Sequence, residues 1–259
     1  MQVLDYRTPP HIEACHKAYY DIMKRKGLTS DWAHHRLMMR PNILTGMLLN
    51  QGFIDGIVAG ILGQYQNHIS HLMDTIGLKN PNSKPSAVSL LLSHDGPLFF
   101  TDTHVNVNPS AEDLADIALS GAKIVERFGL KPSVALMSHS NFGSFDTEFS
   151  LKMRKTLSIL EEKAPDLVVD GEMQPELALF KADRDEYLAS NKLTENANLL
   201  VFSNIDSANI TYNLAKSLTQ SVVVSPILVG FAKPVQVLTN IATVRRIINM
   251  TAICATEEQ

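Results

Sequence analysis

The chain has 259 residues, of which 45% are hydrophobic and 19% charged, and its net charge at neutral pH is −4. This composition is typical of a globular protein, and it gives no electrostatic reason for binding nucleic acid or an anionic membrane. We therefore expect neither kind of partner. The apolar runs are too short to span a bilayer, the first residues do not resemble a signal peptide, and only two cysteines, Cys15 and Cys254, are present. These features predict a cytoplasmic protein.

The first elements are indicated by apolar periodicity and by turn residues. Apolar side chains recur three or four residues apart between positions 12 and 22, and Gly27 closes this segment, which predicts a helix. The segment FIDGIVAGIL (53–62) is short, β-branched and interrupted by glycine, so it predicts a buried strand. The turn-forming residues of GLKNPNSKPS (77–86) predict a hinge or linker.

A hairpin and a long helix are predicted next. The segment AVSLLLSHDGPLFFTD (87–102) has two apolar runs on either side of an Asp95-Gly96 turn, which is typical of a β-hairpin. The segment 110–128 has the strongest helical pattern of the chain, with Ser110 as its N-cap and a glycine just beyond its end.

Strands and helices then alternate. The predicted order is strand 132–138, helix 145–163, strand 166–170, helix 207–219, strand 221–230 and helix 243–256. This alternation indicates an α/β fold with a mostly parallel sheet that helices cover on both faces. Ligands of such sheets bind beyond the carboxyl ends of the strands. Three predicted strand ends carry polar residues, at 137–144, 168–174 and 226–234, so we expect the site there.

The segment SHSNFGS (138–144) connects a predicted strand to a predicted helix. Its backbone N–H groups and the hydroxyls of Ser138, Ser140 and Ser144 could hold an anion such as a phosphate or a thioester oxygen. The alternative is a tight, capped turn without a ligand. The spacing excludes a nucleophile elbow, because the G-x-S-x-G pattern is absent.

Other polar residues allow weaker hypotheses. Asp170 and Glu172, at a predicted strand end, could act as a base or bind a metal, or could simply stabilise a helix N-terminus. Two histidine pairs have a spacing that suits metal binding, namely His34–His35 and His68/His71. No acid or cysteine completes either pair, which favours a structural role. Dinucleotide-binding and P-loop glycine patterns are absent.

Four segments together carry a family resemblance. They are 100–144, PDLVVDGEMQPELAL (165–179), ANLLVFSNIDSANITYNLA (197–215) and PILVGFAKPV (226–235). They resemble phosphate acetyltransferases and, more closely, the phosphotransacetylase-like C-terminal domain of large bacterial malic enzymes. The resemblance extends from about residue 20 to the end of the chain.

The resemblance implies a specific architecture. Two α/β/α subdomains with mostly parallel sheets would flank a cleft, in the phosphate acetyltransferase-like arrangement, which is also isopropylmalate dehydrogenase-like. The second subdomain would be inserted into the first, which predicts subdomain I at 1–80 plus 228–259 and subdomain II at 81–227. The N-terminal strand–helix units of the family have no counterpart here, so the resemblance also predicts a truncated piece of a longer polypeptide.

The resemblance also implies that the chemistry is lost. Active members have a serine, an arginine and an aspartate after the segment that matches GFAKPV, and these fall on Thr239, Asn240 and Arg246. A further arginine of the family falls on Ser70. A carboxylate base would thus be replaced by a permanent cation, and phosphate-binding guanidinium groups by neutral side chains. We therefore expect no catalytic residue in this chain.

The CoA-binding scaffold, by contrast, is expected to remain. The ligand-binding residues implied by the resemblance are Ser138, Ser140, Asn141, Gly143, Ser144, Asn209, Tyr212, Pro226, Lys233, Thr239 and Asn240. The resemblance thus predicts a regulatory, acetyl-CoA-binding and oligomerisation domain of an NAD(P)-dependent malic enzyme, at least a dimer. NAD(P), the divalent metal and the oxidative decarboxylation of malate would belong to the N-terminal part of that enzyme, with neither cofactor nor metal in this chain.

Two alternatives remain at this stage. The chain could be an active, divergent phosphate acetyltransferase that uses Asp170 or Glu172 as a substitute base. It could also be a purely structural assembly domain that binds no effector.

Overall fold

A computed structural model describes residues 5, 8–9, 11–94 and 96–257. The chain divides into two compact units. The first unit comprises Met1–Asn82 and Gly230–Gln259, and the second comprises Ser83–Val229. The second unit is therefore an uninterrupted segment, whereas the first is built from two segments that are distant in sequence.

The elements are numbered in chain order within the described residues. The helices are α1 (Ile12–Met23), followed by a short 3-10 helix (Lys24–Lys26), α2 (Ser30–Met39), α3 (Pro41–Asn50), α4 (Tyr65–Thr75), α5 (Ala111–Arg127), α6 (Glu148–Lys163), α7 (Pro175–Leu179), α8 (Lys181–Tyr187), α9 (Ile205–Thr219) and α10 (Val244–Ala255). The strands are β1 (Ile57–Gly60), β2 (Ser86–Ser93), β3 (Gly96–Thr101), β4 (Val134–Met137), β5 (Val169–Met173), β6 (Leu199–Phe202), β7 (Val222–Val229) and β8 (Val235–Leu238).

The second unit contains a six-stranded sheet in the order β5-β4-β6-β3-β2-β7. The pairs among β5, β4, β6 and β3 are parallel, whereas β2 is antiparallel to both β3 and β7. The predicted mostly parallel α/β fold is therefore confirmed. The predicted hairpin is also present as β2 and β3, although Asp95 of its turn lies outside the described residues.

Helices cover both faces of this sheet. The neighbouring residues Phe99 and Phe100 of β3 point to opposite faces, because side chains alternate along a strand. The ring of Phe99 contacts Phe128, just after α5, at a centroid distance of 5.5 Å. The ring of Phe100 contacts Tyr212 of α9 at 5.7 Å. Helices α5 and α9 therefore lie on opposite faces.

The first unit is mostly helical around a small parallel sheet. Strands β1 and β8 pair in parallel from Ile57 opposite Val235 to Gly60 opposite Leu238. A core of buried apolar side chains joins α1, α2 and α3, and it includes Cys15, which is a free thiol. Burial raises the pKa of the Cys15 thiol, which favours the inert protonated form.

Several predicted boundaries differ from the structure. The strand predicted at 53–62 is restricted to β1, because a helix end and a turn occupy residues 50–55. The strand predicted at 166–170 begins only at Val169. The strand predicted at 221–230 forms, but it pairs antiparallel with β2 at the sheet edge.

No helix in the described part of the chain is long and apolar enough to cross a membrane.

Candidate functional site

The loop from Ser138 to Thr147 connects β4 to α6 and lies against the end of β5. The Ser138 N–H donates to the Met173 carbonyl at 2.9 Å, and the Phe142 N–H donates to the Glu172 carbonyl at 2.8 Å. Because β4 and β5 are parallel neighbours, their carboxyl ends meet at one edge. The structure therefore brings together two of the three predicted polar strand ends. The third follows β7, at the opposite side of the sheet.

The side chain of Glu172 lies inside this loop and is fully buried. Its Oε1 atom accepts hydrogen bonds from the Ser140 hydroxyl at 3.0 Å and from the Gly143 N–H at 2.9 Å. Its Oε2 atom lies 3.6 Å from Nε of Arg154, which also pairs with Asp146. The protein thus places its own carboxylate where backbone and hydroxyl donors converge.

Four more amide groups of the loop also have partners within the chain. The donors with internal acceptors are the N–H groups of Ser140, Asn141, Ser144 and Phe145, whose acceptors are oxygens of Ser138, Ser140, Asn141 and Ser144. The internal hydrogen bonds therefore favour the tight capped turn over the anion site, since most amide donors of the loop are already used. A ligand here would contact hydroxyl groups and aromatic rings instead.

Gly143 is required by the geometry of this turn. Its φ is +85°, and a Cβ atom at this position would lie 2.8 Å from a terminal guanidinium nitrogen of Arg154. A side chain would therefore be strained and would displace the arginine that neutralises Glu172.

The two carboxylates considered as substitute bases are occupied by structural contacts. Asp170 is buried and accepts from the N–H groups of Gly171 at 2.9 Å and Lys192 at 2.7 Å. Glu172 is buried in the loop as described. A general base must reach the proton that it removes, so this geometry does not favour either residue as a base.

Asn141 ties the loop to the segment after β5. Its side-chain oxygen accepts from the Gln174 N–H at 2.7 Å, and its amide donates to the Gln174 side chain at 3.3 Å. Both ends of the Asn141 amide are therefore used in holding the loop. The resemblance had implied a ligand contact for this residue.

Two aromatic side chains of the loop were missed by the sequence analysis. The rings of His139 and Phe145 meet edge to face at a centroid distance of 5.8 Å, and 63% of Phe145 is exposed. In the sequence, the signal that could have identified them is the presence of aromatic residues within a polar loop that follows a predicted strand.

Asn209, Tyr212 and Pro226 lie near a second cluster of the same unit. The Asn209 amide donates to the Thr103 carbonyl at 3.0 Å. The Thr103 hydroxyl contacts the Ser89 hydroxyl at 2.7 Å. The Ser89 hydroxyl in turn contacts the hydroxyl of Ser225, the residue before Pro226, at 2.6 Å. Pro226 is buried within β7, and Tyr212 is buried in the core. These three residues therefore support the sheet edge from inside.

His104 belongs to the same cluster and was also missed. Its Nδ1 atom lies 2.8 Å from the Thr103 hydroxyl. Burial, with a smaller effect of the nearby Lys216 cation, lowers the pKa of His104 to about 4. The imidazole is therefore neutral at physiological pH.

In the first unit, Lys233 closes a helix. Its ammonium group donates to the carbonyl of Leu49 at 2.9 Å and to that of Asn50 at 3.4 Å. These are the last residues of α3, where a cation satisfies free carbonyl groups and interacts favourably with the helix dipole. Lys233 thus has a structural partner in place of the ligand that the resemblance implies.

The positions that match the lost catalytic residues follow β8 and lie on α4. Thr239 and Asn240 form the turn after β8, with Asn240 exposed. Arg246 lies in the first turn of α10 and donates to the Ile241 carbonyl at 3.0 Å. Ser70 is exposed on α4. Within the described residues, no carboxylate forms an ion pair with Arg246, and no group of three or more His, Cys, Asp or Glu residues is placed to hold a metal.

Comparison with curated proteins gives two kinds of relatives. The chain is 42% identical to the NADP-dependent malic enzyme of Haemophilus influenzae and 40% identical to that of Escherichia coli, in each case over the whole chain and 34% of the relative. It is 30% identical to the phosphate acetyltransferase of a Synechocystis species, over 98% of this chain and 36% of that protein. The chain thus spans about a third of the length of these relatives.

Solved structures and a family model agree with this result. The EutD phosphotransacetylase from Staphylococcus aureus superimposes with a TM-score of 0.88 at 26% identity, over 98% of this chain and 78% of that one. A phosphotransacetylase from Streptococcus pyogenes gives 0.90 at the same identity and the same shares. The family model described as "Phosphate acetyl/butaryl transferase" matches residues 1–255. The predicted resemblance and fold are confirmed, and the chain belongs to the phosphate acetyl/butaryl transferase family.

Proposed function

We propose that this chain is the regulatory module of a malic enzyme, that it binds acetyl-CoA, and that it has lost phosphate acetyltransferase activity. The sequence identity is higher to malic enzymes than to the Synechocystis phosphate acetyltransferase, which supports the assignment to a malic enzyme. The oxidative decarboxylation of malate, with NAD(P) and a divalent metal, would then be carried by the remaining two thirds of such an enzyme.

The observation that carries the loss of activity is the position of Arg246. The family resemblance places the catalytic carboxylate there, but the structure has a guanidinium group that donates to the Ile241 carbonyl at the start of α10. A permanent cation cannot accept a proton from the thiol of CoA. Asn240, which matches the phosphate-binding arginine, is a neutral amide, and the loss of one such donor alone costs about 100-fold to 1000-fold in rate.

The contacts to acetyl-CoA proposed here are fewer than the resemblance implies. Ser138 is half-buried and Ser144 is exposed in the loop after β4, and both hydroxyl oxygens also accept N–H groups of the loop. The exposed ring of Phe145, supported by His139, suits the adenine ring of CoA, because aromatic rings stack on nucleobases. Asn141 would hold this loop in place without touching the ligand, and Asn209 and Tyr212 would support the second cluster.

Regulation requires that acetyl-CoA prefers one of two states of the enzyme, because an effector shifts an equilibrium only by its difference in affinity. The test is calorimetric titration of the intact malic enzyme with acetyl-CoA, together with malate oxidation assays. We expect binding and a change of rate, and Phe145→Ala should weaken binding by about 5-fold or more.

The matched control is Phe53→Ala, which removes another exposed phenylalanine that contacts a histidine ring, in the first unit. This variant should bind acetyl-CoA normally. Absence of binding up to millimolar acetyl-CoA in folded protein would refute the proposal.

An exposed apolar stripe on α9 supports pairing with a second copy. Ile210, Leu214 and Leu218 are 65%, 58% and 75% exposed, and their spacing of four residues places them on one helix face. We expect Leu214→Glu to weaken a dimer in sedimentation velocity. Leu151→Glu, at a leucine of α6 that is 50% exposed, should leave association unchanged. A monomeric parent protein, or a dimer that Leu214→Glu does not weaken, would count against this pairing.

Family membership keeps phosphate acetyltransferase activity as the second candidate. The burial and internal hydrogen bonds of Asp170 and Glu172 argue against it. The assay is formation of acetyl-CoA from acetyl phosphate and CoA by the intact protein. Turnover above the uncatalysed rate would restore this candidate and contradict the loss of chemistry.

A further inference from the structure

One lysine of the second unit connects three neighbouring elements at the carboxyl edge of the sheet. Strands β4, β6 and β3 are parallel neighbours in that order, so their carboxyl ends lie side by side. Lys152 lies on α6, the helix that follows the loop after β4. Its Nζ atom donates to the side-chain oxygen of Asn108 at 2.6 Å, to the Pro109 carbonyl at 3.0 Å and to the Ser203 carbonyl at 2.8 Å. Asn108 and Pro109 follow β3, and Ser203 follows β6, so Lys152 joins the segments after all three strands.

These contacts use the full hydrogen-bonding capacity of the ammonium group. An ammonium has three N–H donors, and each of them has an acceptor here. The acceptors are neutral oxygens, and within the described residues Lys152 forms no ion pair with a carboxylate. Burial lowers the pKa of Lys152, although the nearby Glu148 acts in the opposite direction. A cation that has lost part of its hydration needs such hydrogen bonds, so Lys152 and its three acceptors hold one another in place.

The second half of the loop after β3 depends on this lysine. The Asp102 carboxylate accepts from the three backbone N–H groups of residues 104–106 and so fixes the first half. In the second half, the Val107 carbonyl accepts from the Ile205 N–H at 3.1 Å, and Lys152 binds the next two residues. Because Val107 is 70% exposed, this half of the loop belongs to the accessible edge of the sheet.

We propose that Lys152 is a positioning residue for the acetyl-CoA site, an inference that rests on the proposed function. The loop that carries Phe145 follows β4, and the loop that carries Val107 follows β3. Only β6 lies between these strands, and two strand spacings amount to about 10 Å. This distance is short compared with the length of CoA, so one ligand can contact both loops. Lys152 keeps the two loops at a fixed spacing before the ligand arrives, which lowers the entropic cost of binding.

The test is calorimetric titration of the intact protein with acetyl-CoA. Lys152→Met keeps an unbranched side chain but removes the ammonium, and we expect it to weaken binding by about 10-fold. Lys152→Cys, alkylated with 2-bromoethylamine, restores an ammonium on a side chain of nearly the same length. This alkylated variant should recover the affinity of the parent. Cys15 and Cys254 are buried, and the parent protein treated with the same reagent corrects for alkylation of any other thiol.

The matched control is Lys155→Met on the same helix. The ammonium of Lys155 pairs with the Glu112 carboxylate at 2.6 Å, so this lysine also connects α6 to another element, namely α5. Its removal leaves the hydrogen bonds of Lys152 in place, and we expect normal binding of acetyl-CoA. Circular dichroism should show that every variant is folded.

A second readout needs no ligand. In hydrogen exchange of the free protein, the Ile205 N–H should exchange faster in Lys152→Met than in the parent, because the loop that supplies its acceptor is released. The alkylated Lys152→Cys variant should restore slow exchange, and Lys155→Met should not change it. Unchanged exchange in Lys152→Met would overturn the inference.

The binding experiment separates this inference from the proposed function. If the parent binds acetyl-CoA and Lys152→Met binds it equally well, the positioning role is overturned and the proposed function stands. Weakened binding that the alkylated Lys152→Cys variant does not restore would also overturn the positioning role. If the folded parent does not bind acetyl-CoA, the proposed function itself fails, and this inference fails with it.

Discussion

At the scale of single residues, the carboxylate of Glu172 holds the loop after β4. It accepts two hydrogen bonds and lies 3.6 Å from Nε of Arg154, whose side chain is partly exposed. Glu172→Gln keeps the shape of the side chain but replaces the charged acceptor of these hydrogen bonds with a neutral one, while Arg154 keeps its pair with Asp146. We expect a loss of about 2 kcal/mol in the free energy of unfolding, measured by urea denaturation.

The control for this substitution is Glu126→Gln, at an exposed glutamate of α5 in the same unit. Its effect should stay within about 0.5 kcal/mol. If Glu172→Gln were as mild as the control, Glu172 would not be the residue that holds the loop.

His104 makes the stability of the second unit depend on pH. Its pKa is about 4 in the folded protein, mainly because the ring is buried, against an ordinary value of 6.5. Between these values the unfolded chain binds a proton that the folded protein does not. The stabilisation is therefore complete above pH 6.5 and is lost as the pH falls towards 4, by about 3 kcal/mol in total.

The measurement is urea unfolding at pH 7.5 and pH 5 for the parent protein and for His104→Gln. The parent should lose about 2 kcal/mol from this residue between the two pH values, and the variant should lack that part of the change. A variant with the full pH dependence of the parent would show that another group is responsible.

At the scale of elements, α5 is started by a reciprocal cap. The Ser110 hydroxyl accepts from the Asp113 N–H at 3.1 Å, and the Asp113 carboxylate accepts from the Ser110 N–H at 3.0 Å. Ser110→Ala should reduce the free energy of unfolding by about 1 kcal/mol. Ser158→Ala, at an exposed serine inside α6, should change it little, and equal effects of the two in thermal melts would contradict the cap.

The same element shows what the sequence could predict. The helix of α5 was predicted within a residue at each end because its cap, its apolar face and its closing glycine are all local signals. Strand β6 was not predicted, although it lies between β4 and β3 in the sheet. It has only four residues, all buried, so it shows neither alternation nor helical periodicity, and only its neighbours in space define it.

The candidate site shows a similar division. The loop 138–144 was identified from polar residues after a strand, which is a local pattern. The role of Glu172 was not identified, because its partners Ser140 and Gly143 are about 30 residues away in sequence. Lys233 is a more extreme example, since the carbonyl that it caps is 184 positions away. Such contacts leave no pattern in a single sequence.

At the scale of the whole molecule, the two segments of the first unit meet where the second unit departs. The Lys79 N–H donates to the Gly230 carbonyl at 2.9 Å, and the Ala232 N–H donates to the Gly77 carbonyl at 3.2 Å. We therefore expect that residues 83–229 can be replaced by a short glycine–serine linker without loss of the fold of the first unit. We expect this shortened protein to unfold cooperatively in urea, and residues 83–229 to do so on their own.

Residues 1–82 alone are the control for this experiment. They lack β8, which pairs with β1, and Lys233, which caps α3. They should show no cooperative transition. A cooperative transition in this fragment would mean that the second segment is not needed for the fold of the first unit.

The divided first unit has a consequence for the timing of synthesis. After residue 82 leaves the ribosome, 147 residues (83–229) are made before β8 appears, which takes roughly 7 to 30 s at 5–20 residues per second. During this time β1 lacks β8, its partner among the described strands, whereas the second unit can complete its fold. Of the two units, the one whose synthesis begins first is thus finished last, and it is during this delay that chaperones or aggregation would act on the nascent chain.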